Sequence, residues 1–318
     1  MKYKFTGETK EYLGVVLHRI QRLSDNAFGG WIESEKNLSH EGNAWVSDNA
    51  QVFGNAQVSG NAQVSGNTWV SGNAQVSGNT QVYGNAQVFG DAWVSGDAWV
   101  SGNALVSGNA QVYGDARVSG DAQVYGDARV SGNAQVYGDA RVSGNAQVYG
   151  DAWVFNNAQV NGNAQVFGDA QVYGDAQVFG DAWVSGNTLV SGNAQVFGDA
   201  WVFNNVQVYG DAQVFGNAQV YGDAQVNGNA QVSGDAQVFG DAQVSGNARV
   251  SNKSEIINVI MYPHSVTVTP QNIVIGCQLR SRFGKDQWTS KDKDANSNLV
   301  KIYRPLLTAL KKQVKRRR

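Results

Sequence analysis

The sequence predicts an all-β solenoid, a left-handed parallel β-helix of hexapeptide repeats. Three observations lead to it. A valine recurs at every sixth position from Val46 to Val250, an alanine stands two positions before most of these valines, and a glycine follows two positions after most of them. The valines fill 35 registers without an insertion or deletion, so the repeat occupies residues 43–252. Three repeats per triangular coil predict about 12 coils and a rod of roughly 55 Å.

Each repeat predicts one short strand and one corner, as in Asn61-Ala62-Gln63-Val64-Ser65-Gly66. Alanine and valine are two residues apart, so in an extended chain both point to the interior while the residue between them points outward. The only residues that replace the corner glycine are Asp48, Asn156, Asn204 and Asn252. These are the residue types that best tolerate positive φ, so we expect positive φ at every corner.

The outward position before each valine is glutamine in 22 registers, tryptophan in seven, arginine in four and leucine in two. Glutamines stacked at coil spacing can form amide ladders along the rod. The same row is also suited to a glutamine-rich recognition surface. The sequence leaves both interpretations open.

The position after each valine is often Tyr or Phe in the later repeats, and at 18-residue offsets these residues align in columns. One interpretation is that the rings stack and stabilise neighbouring coils. The other is that they form a face that binds a partner. The candidate binding residues are Tyr137, Phe155, Tyr173, Phe179, Phe197, Phe215, Trp183, Trp201, Phe203, Tyr221 and Phe239.

Two non-repetitive segments are expected to cap the unpaired strand edges of the solenoid. Residues 1–42 predict a small β cap with an apolar cluster of Val15, Val16, Leu17 and Ile20. Residues 253–318 predict a second cap. It contains a hairpin over 265–277, which turns near Pro270-Gln271, and a helix from about residue 296 to the basic tail.

The net charge of −2 conceals an acidic repeat and a basic C-terminal segment. Residues 43–251 carry 16 Asp and 4 Arg, whereas residues 252–318 carry 14 Lys and Arg against 4 acidic residues. The tail is a candidate for contact with nucleic acid, an anionic membrane or another copy's acidic rod, and a solvated helix end explains it equally well. Its basic residues are Lys311, Lys312, Lys315, Arg316, Arg317 and Arg318.

Several residue patterns bear on catalysis and location. The only histidines, His18, His40 and His264, lie outside the repeat, which argues against an acyltransferase base or a three-histidine metal site. The lone Cys277 follows an apolar stretch and is interpreted as buried packing. We expect no cofactor and no metal. With no signal-like or membrane-spanning apolar run, the sequence predicts a cytoplasmic protein.

The sequence resembles the YdcK-type hexapeptide-repeat proteins of bacteria and phages. The resemblance rests on Gly29-Gly30-Trp31-Ile32, Asn37-Leu38-Ser39, Gly42 and Ala44-Trp45-Val46, followed by the A-x-V-x-G-[N/D] array. The stretch VTVTPQNIVIGCQ is similar to the region after the repeats in phage-borne relatives. The resemblance implies a left-handed β-helix and a transferase label, without an established biochemical function.

These observations predict a non-enzymatic scaffold or binding protein of phage or prophage origin. We expect a protein partner or self-association, with nucleic acid contacted only through the basic tail, no membrane span, and the oligomeric state left open. Two alternatives remain. One is a cryptic or inactive acyltransferase-like protein, and the other is an acidic decoy that inhibits a host macromolecule.

Overall fold

The computed structural model describes residues 1–252, Ile257–Met261, 264–269, Asn272–Ile275 and Gln278–Ser281. The predicted helix, Cys277 and the basic tail lie outside the described residues. The chain divides into two compact units, Met1–Gly174 and Asp175–Arg318. In both units the repeat forms short parallel strands on three faces, as an all-β solenoid requires.

In the first unit, each strand of a coil pairs in parallel with the strand that lies three repeats further along the chain. Gln63 is aligned with Gln81 and Val64 with Val82, an 18-residue offset that makes three hexapeptides one coil. The first face consists of Gln51–Val52, Trp69–Val70, Gln87–Val88, Leu105–Val106, Gln123–Val124, Arg141–Val142 and Gln159–Val160. The second face consists of Gln57–Val58, Gln75–Val76, Trp93–Val94, Gln111–Val112, Arg129–Val130, Gln147–Val148 and Gln165–Val166. The third face consists of Trp45–Val46, Gln63–Val64, Gln81–Val82, Trp99–Val100, Arg117–Val118, Gln135–Val136, Trp153–Val154 and Gln171–Val172.

The second unit repeats this three-faced arrangement. Its first face consists of Gln177–Val178, Gln195–Val196, Gln213–Val214, Gln231–Val232 and Arg249–Val250. Its second face consists of Trp183–Val184, Trp201–Asn204, Gln219–Gly222 and Gln237–Val238. Its third face consists of Leu189–Val190, Gln207–Val208, Gln225–Val226 and Gln243–Val244. Together the two units have about 12 coils, as the repeat count predicts.

The second unit also contains a four-stranded antiparallel sheet after the repeats. Its strands are Ile257–Met261, His264–Val268, Asn272–Ile275 and Gln278–Ser281. The middle two strands pair antiparallel, with Val268 opposite Ile273, and the predicted turn at Pro270-Gln271 lies outside the described residues. The Thr267 hydroxyl oxygen accepts the backbone N–H of Gln243 at 3.0 Å, so this sheet contacts the last coil.

The interior of the coils contains the valines and alanines of the repeat. Every valine from Val46 to Val250 is fully buried, as is every inward alanine. Thr68, Thr80 and Thr188 occupy the inward alanine position and are also fully buried, as the pattern predicts. The core is therefore a narrow apolar column with three buried hydroxyls.

The corners adopt the positive φ that the sequence predicts. The glycines from Gly54 to Gly246 have φ between 57° and 79°, and Asp48, Asn156 and Asn204 have φ of 55°, 58° and 72°. Space is a second constraint, because a Cβ built on Gly66 would lie 2.6 Å from the carbonyl oxygen of Gly84 in the next coil. Glycine therefore relieves both a backbone and a packing restriction.

The N-terminal cap begins with strands β1 (Tyr3–Tyr12) and β2 (Val15–Arg22), which form an antiparallel hairpin. Strand β3 (Phe28–Ile32) pairs with β2 on one side and in parallel with Gln51–Val52 on the other. A short 3-10 helix, Glu35–Asn37, follows. The cap thus completes the first face at its open edge.

The apolar cluster predicted for the cap is only half right. Leu17 and Ile20 are fully buried, but Val16 is 51% exposed and Val15 is only partly buried. Successive residues of a strand point to opposite sides, so Val16 faces solvent when Leu17 faces the core. Tyr3 supplies the missing bulk, and its hydroxyl donates to the carbonyl oxygen of Leu38 at 2.9 Å.

The buried hydroxyls give a test of the core. The Thr68 hydroxyl has no hydrogen-bond partner, whereas the Thr188 hydroxyl donates to the carbonyl oxygen of Ser185 at 2.6 Å. We expect Thr68→Val to raise the free energy of unfolding by about 1–2 kcal/mol, because a buried unsatisfied polar group is costly. The matched Thr188→Val should lower it, since that change removes a hydrogen bond. Denaturant unfolding measures both, and equal effects would contradict the assignment.

Candidate interaction surface

The predicted aromatic columns are present as stacked rings. In the first unit, Tyr137 stacks on Phe155 with ring centroids 5.0 Å apart, and Phe155 stacks on Tyr173 at 4.9 Å. Their planes are inclined by 6° and 8°, which is nearly parallel. Burial raises the pKa of the Tyr137 hydroxyl. These three predicted residues form one continuous column on the third face.

The second unit brings together the other eight predicted residues around its second face. Trp183 and Trp201 stack on this face with centroids 5.0 Å apart and planes inclined by 3°. Two further columns stand at the ends of the strands on the first and second faces, with centroid spacings from 4.8 to 5.5 Å. Their members are Phe179, Phe197 and Phe215, and then Phe203, Tyr221 and Phe239.

Stacking determines which parts of these rings remain accessible. Rings within a column turn their faces toward one another, so they present mainly their edges to the outside. Most are half-buried, but Trp183, Trp201 and Phe239 are 38%, 43% and 48% exposed. The surface therefore combines a structural role, which the contacts demonstrate, with an accessible apolar edge.

Asparagine ladders run along all three corners, a feature that the sequence analysis did not single out. In each ladder the Nδ2 of one asparagine donates to the Oδ1 of the residue one coil further on. One ladder runs from Asn43 through Asn61 and Asn79 to Asp97, with bonds of 3.2, 2.9 and 2.7 Å. In the sequence, the signal for these ladders is the alignment of Asn and Asp at 18-residue offsets.

Aspartate ends several of these ladders, such as the one at Asp97, because a carboxylate accepts a hydrogen bond but has no N–H to donate onward. In several columns a second aspartate follows directly, as Asp115 follows Asp97. The predicted glutamine ladders are sparser and occur in the second unit. Their bonds join Gln195 to Gln213, Gln213 to Gln231, and Gln219 to Gln237 at 3.0 to 3.2 Å.

Cations of the N-terminal cap lie over aromatic rings of the cap itself and of the first coil. The Arg22 guanidinium lies 4.3 Å from the ring centroid of Trp45, and the Lys10 ammonium lies 4.5 Å from that of Trp31. Tyr12 contacts the edge of the Trp69 ring at 4.9 Å. The contacts of Arg22 and Tyr12 hold the cap on the solenoid, and no periodic signal in the sequence indicates them.

The histidines of the cap have aromatic neighbours. His18 lies 4.9 Å from the ring of Phe5, and His40 stacks on Tyr3 at 4.3 Å. His264 begins a described strand. Within the described part of the chain, no three His, Cys, Asp or Glu side chains are grouped closely enough to hold a metal ion. Nor does that part contain a helix long and apolar enough to cross a membrane.

Comparison with known protein families gives a match along the repeat. A model described as the YdcK β-solenoid repeat matches residues 50–66, 56–78, 80–96, 86–102, 110–122, 122–134, 134–150, 146–162, 170–186, 218–234 and 242–254. A search of curated proteins finds no match. The family match therefore falls on the array that builds the three faces.

The stacked columns can be tested by replacing aromatic residues with serine, the common alternative at this position. Phe197 lies between Phe179 and Phe215, whereas the exposed Tyr125 has serines one coil away on either side. Each stacked pair contributes about 0.5–1.5 kcal/mol, so Phe197→Ser should cost about 1–3 kcal/mol more than Tyr125→Ser. Denaturant unfolding measures the difference. Equal costs would show that stacking adds nothing to burial.

The paired aspartates give an electrostatic prediction. Asp115→Asn removes a like-charge neighbour of Asp97, so we expect the melting temperature to rise by about 1–2 °C at low ionic strength. Salt above about 0.5 M should abolish the gain, because it screens surface charges. Asp127→Asn is the matched control, since Asp127 has Asn109 and Asn145 as its column neighbours. A salt-independent gain would contradict the electrostatic explanation.

Proposed function

The chain is a β-solenoid repeat protein of the YdcK family, and from that premise we propose that it is a non-enzymatic rigid scaffold that binds a macromolecular partner. The proposed binding surface is the aromatic second face of the unit Asp175–Arg318. We further propose that the protein acts in the cytoplasm and is encoded by a phage or prophage. The similarity of residues 266–278 to phage-borne relatives supports the proposed origin.

One observation carries the binding proposal, namely the alignment of aromatic columns around a single face. The indoles of the stacked pair Trp183 and Trp201 are 38% and 43% exposed, and columns of Phe and Tyr lie on either side of the pair. Tryptophan and tyrosine are the residues most enriched in binding hot spots, where large rigid rings exclude water. The backbone ladders beneath hold these rings in fixed positions, so little conformational entropy is lost on binding.

The acidic corners suggest the charge of the partner. Asp181 and Asp199 lie between the Phe179 column and the Trp183 column, and Asp223 and Asp241 lie beyond the opposite edge of the face. A partner that buries the tryptophans would bring its own rim close to these carboxylates. We therefore expect a protein with an apolar centre and basic residues around it.

The test is a pair of substitutions that preserve the repeat. Trp183→Gln and Trp201→Gln together place the most common outward residue at both positions, so folding should be retained. Affinity purification of the full chain from its host, followed by mass spectrometry, identifies partners, and titration with the purified partner measures binding. We expect the double variant to bind at least about tenfold more weakly, as is usual when central aromatic contacts are lost.

Trp93→Gln is the matched control, because Trp93 is the most exposed tryptophan of the repeat but lies in the first unit without a stacked partner. It should leave binding unchanged. Retention of every partner by the Trp183 and Trp201 double variant would overturn the proposed surface. Equal loss with Trp93→Gln would instead indicate nonspecific adhesion to exposed indoles.

A further inference from the structure

The N-terminal end of the unit Met1–Gly174 contains a polar cleft between the cap and the first coil. The cleft has a volume of about 570 Å³. That size is typical of sites for small ligands. Six of its lining residues bear on ligand chemistry, namely Lys2, Arg22, Ser24, His40, Asn43 and Gln63. No residue of the aromatic columns is among the residues that line the cleft.

Two cations converge in this cleft. The guanidinium carbon of Arg22 lies 4.3 Å from the centroid of the Trp45 ring, a cation–π contact that holds the side chain at the cleft. The Lys2 ammonium donates to the carbonyl oxygen of Ala44 at 2.7 Å, which leaves two of its three protons for other acceptors. Burial, and then the positive charge of Arg22, lower the pKa of the Lys2 amine. The two like charges are therefore close enough to repel one another.

The cleft walls do not neutralise this charge. None of the described residues that line the cleft carries a carboxylate. Outside the lining, Oδ2 of Asp25 accepts from the Nη1 of Arg22 at 3.2 Å, and this exposed ion pair offsets part of the Arg22 charge. His40 accepts the backbone N–H of Lys2 through Nδ1 at 3.2 Å, and its buried Nε2 lies 3.8 Å from Oε2 of Glu35, so this ring offers the cleft no donor. The amides of Asn43 and Gln63 already donate within the protein, so the charged donors left for a ligand are those of Arg22 and Lys2.

The first asparagine of one corner ladder also lines the cleft. Asn43 donates through Nδ2 to Asn61, in the same direction as every later member of the ladder. The corresponding first asparagine of another corner, Asn55, accepts through Oδ1 from the Lys36 ammonium at 3.2 Å. The acceptor end of a ladder is therefore a place where the cap supplies a cation. Asn43 lines the same cleft as Lys2 and Arg22.

We propose that this cleft binds a phosphate group, either as free phosphate or as the terminal group of a nucleotide, with Arg22 and Lys2 as its cationic ligands. A guanidinium presents N–H groups in the planar fork that phosphate oxygens fit, and an ammonium adds a point charge. A phosphate dianion between the two cations removes their mutual repulsion. The inference is independent of the partner-binding role proposed above, which concerns the other unit.

The experiment is isothermal titration of the full chain with inorganic phosphate and, separately, with ADP, in a phosphate-free buffer of low ionic strength. Sodium chloride at matched ionic strength is the reference. We expect saturable one-to-one binding that strengthens from pH 5.5 to 7.5, because the second ionisation of phosphate lies at about pH 6 to 7. Tighter binding of ADP indicates a nucleotide, and equal binding indicates free phosphate. Either result supports the cleft.

Charge-removing variants assign the site. Arg22→Gln and Lys2→Gln should each weaken phosphate binding by about tenfold or more, the change expected for loss of one charge-assisted contact. Arg19→Gln is the matched control, because Arg19 lies on the same strand and stacks on Phe28 outside the cleft. If Arg22→Gln does not fold, Arg22→Lys replaces it. This variant keeps the positive charge, so a loss of phosphate affinity would show that the planar guanidinium is required.

Two results would overturn the proposal. One is that neither phosphate nor ADP gives a saturable heat of binding above that of the sodium chloride reference. The other is an equal loss of affinity in Arg19→Gln and Lys2→Gln, since this would show a diffuse positive field instead of a site. Failure here would leave partner binding by Trp183 and Trp201 unaffected, so the two proposals are tested separately.

Discussion

The corner glycines of the solenoid lie at positive φ, directly against the backbone of the corresponding corner in the next coil wherever a further coil follows. A Cβ on Gly78 would lie 2.7 Å from the carbonyl oxygen of Gly96, and the other corners are similarly close. The corner therefore fixes both the direction in which the chain turns and the distance between coils. Strand pairing, aromatic stacking and amide ladders all use that one spacing, which is about 4.8 Å in β-structure.

The asparagine ladders give the corners a direction as well as a spacing. All side-chain amide dipoles of a ladder point the same way, so partial charge accumulates at its two ends, as it does in a helix. The cap places Lys36 at the acceptor end beside Asn55, and aspartates such as Asp97 receive the last N–H at the donor end. Aspartate in the repeat thus has a structural role in addition to its contribution to net charge.

Periodicity explains what could be predicted. The six-residue repeat predicted that the threonines at the alanine position point inward and that Asn156 and Asn204 have positive φ. The 18-residue offset predicted the aromatic columns. The direction of the side-chain hydrogen bonds in the asparagine ladders could not be predicted, because it depends on the rotamer of each side chain. The exposure of Val16 depends on which side of a hairpin meets the core, and the cleft depends on non-periodic contacts such as that of Arg22 with Trp45. Left-handedness remains a prediction.

The threefold division of each coil has an evolutionary consequence. Duplication of a single hexapeptide within Met1–Gly174 would leave every strand and corner intact, yet it would move all later columns to the neighbouring face. Duplication of three hexapeptides would lengthen a column without changing its side. Selection could therefore reorient a column such as Tyr137, Phe155 and Tyr173 relative to the N-terminal cap by changing the number of repeats, with no change to any residue in the column.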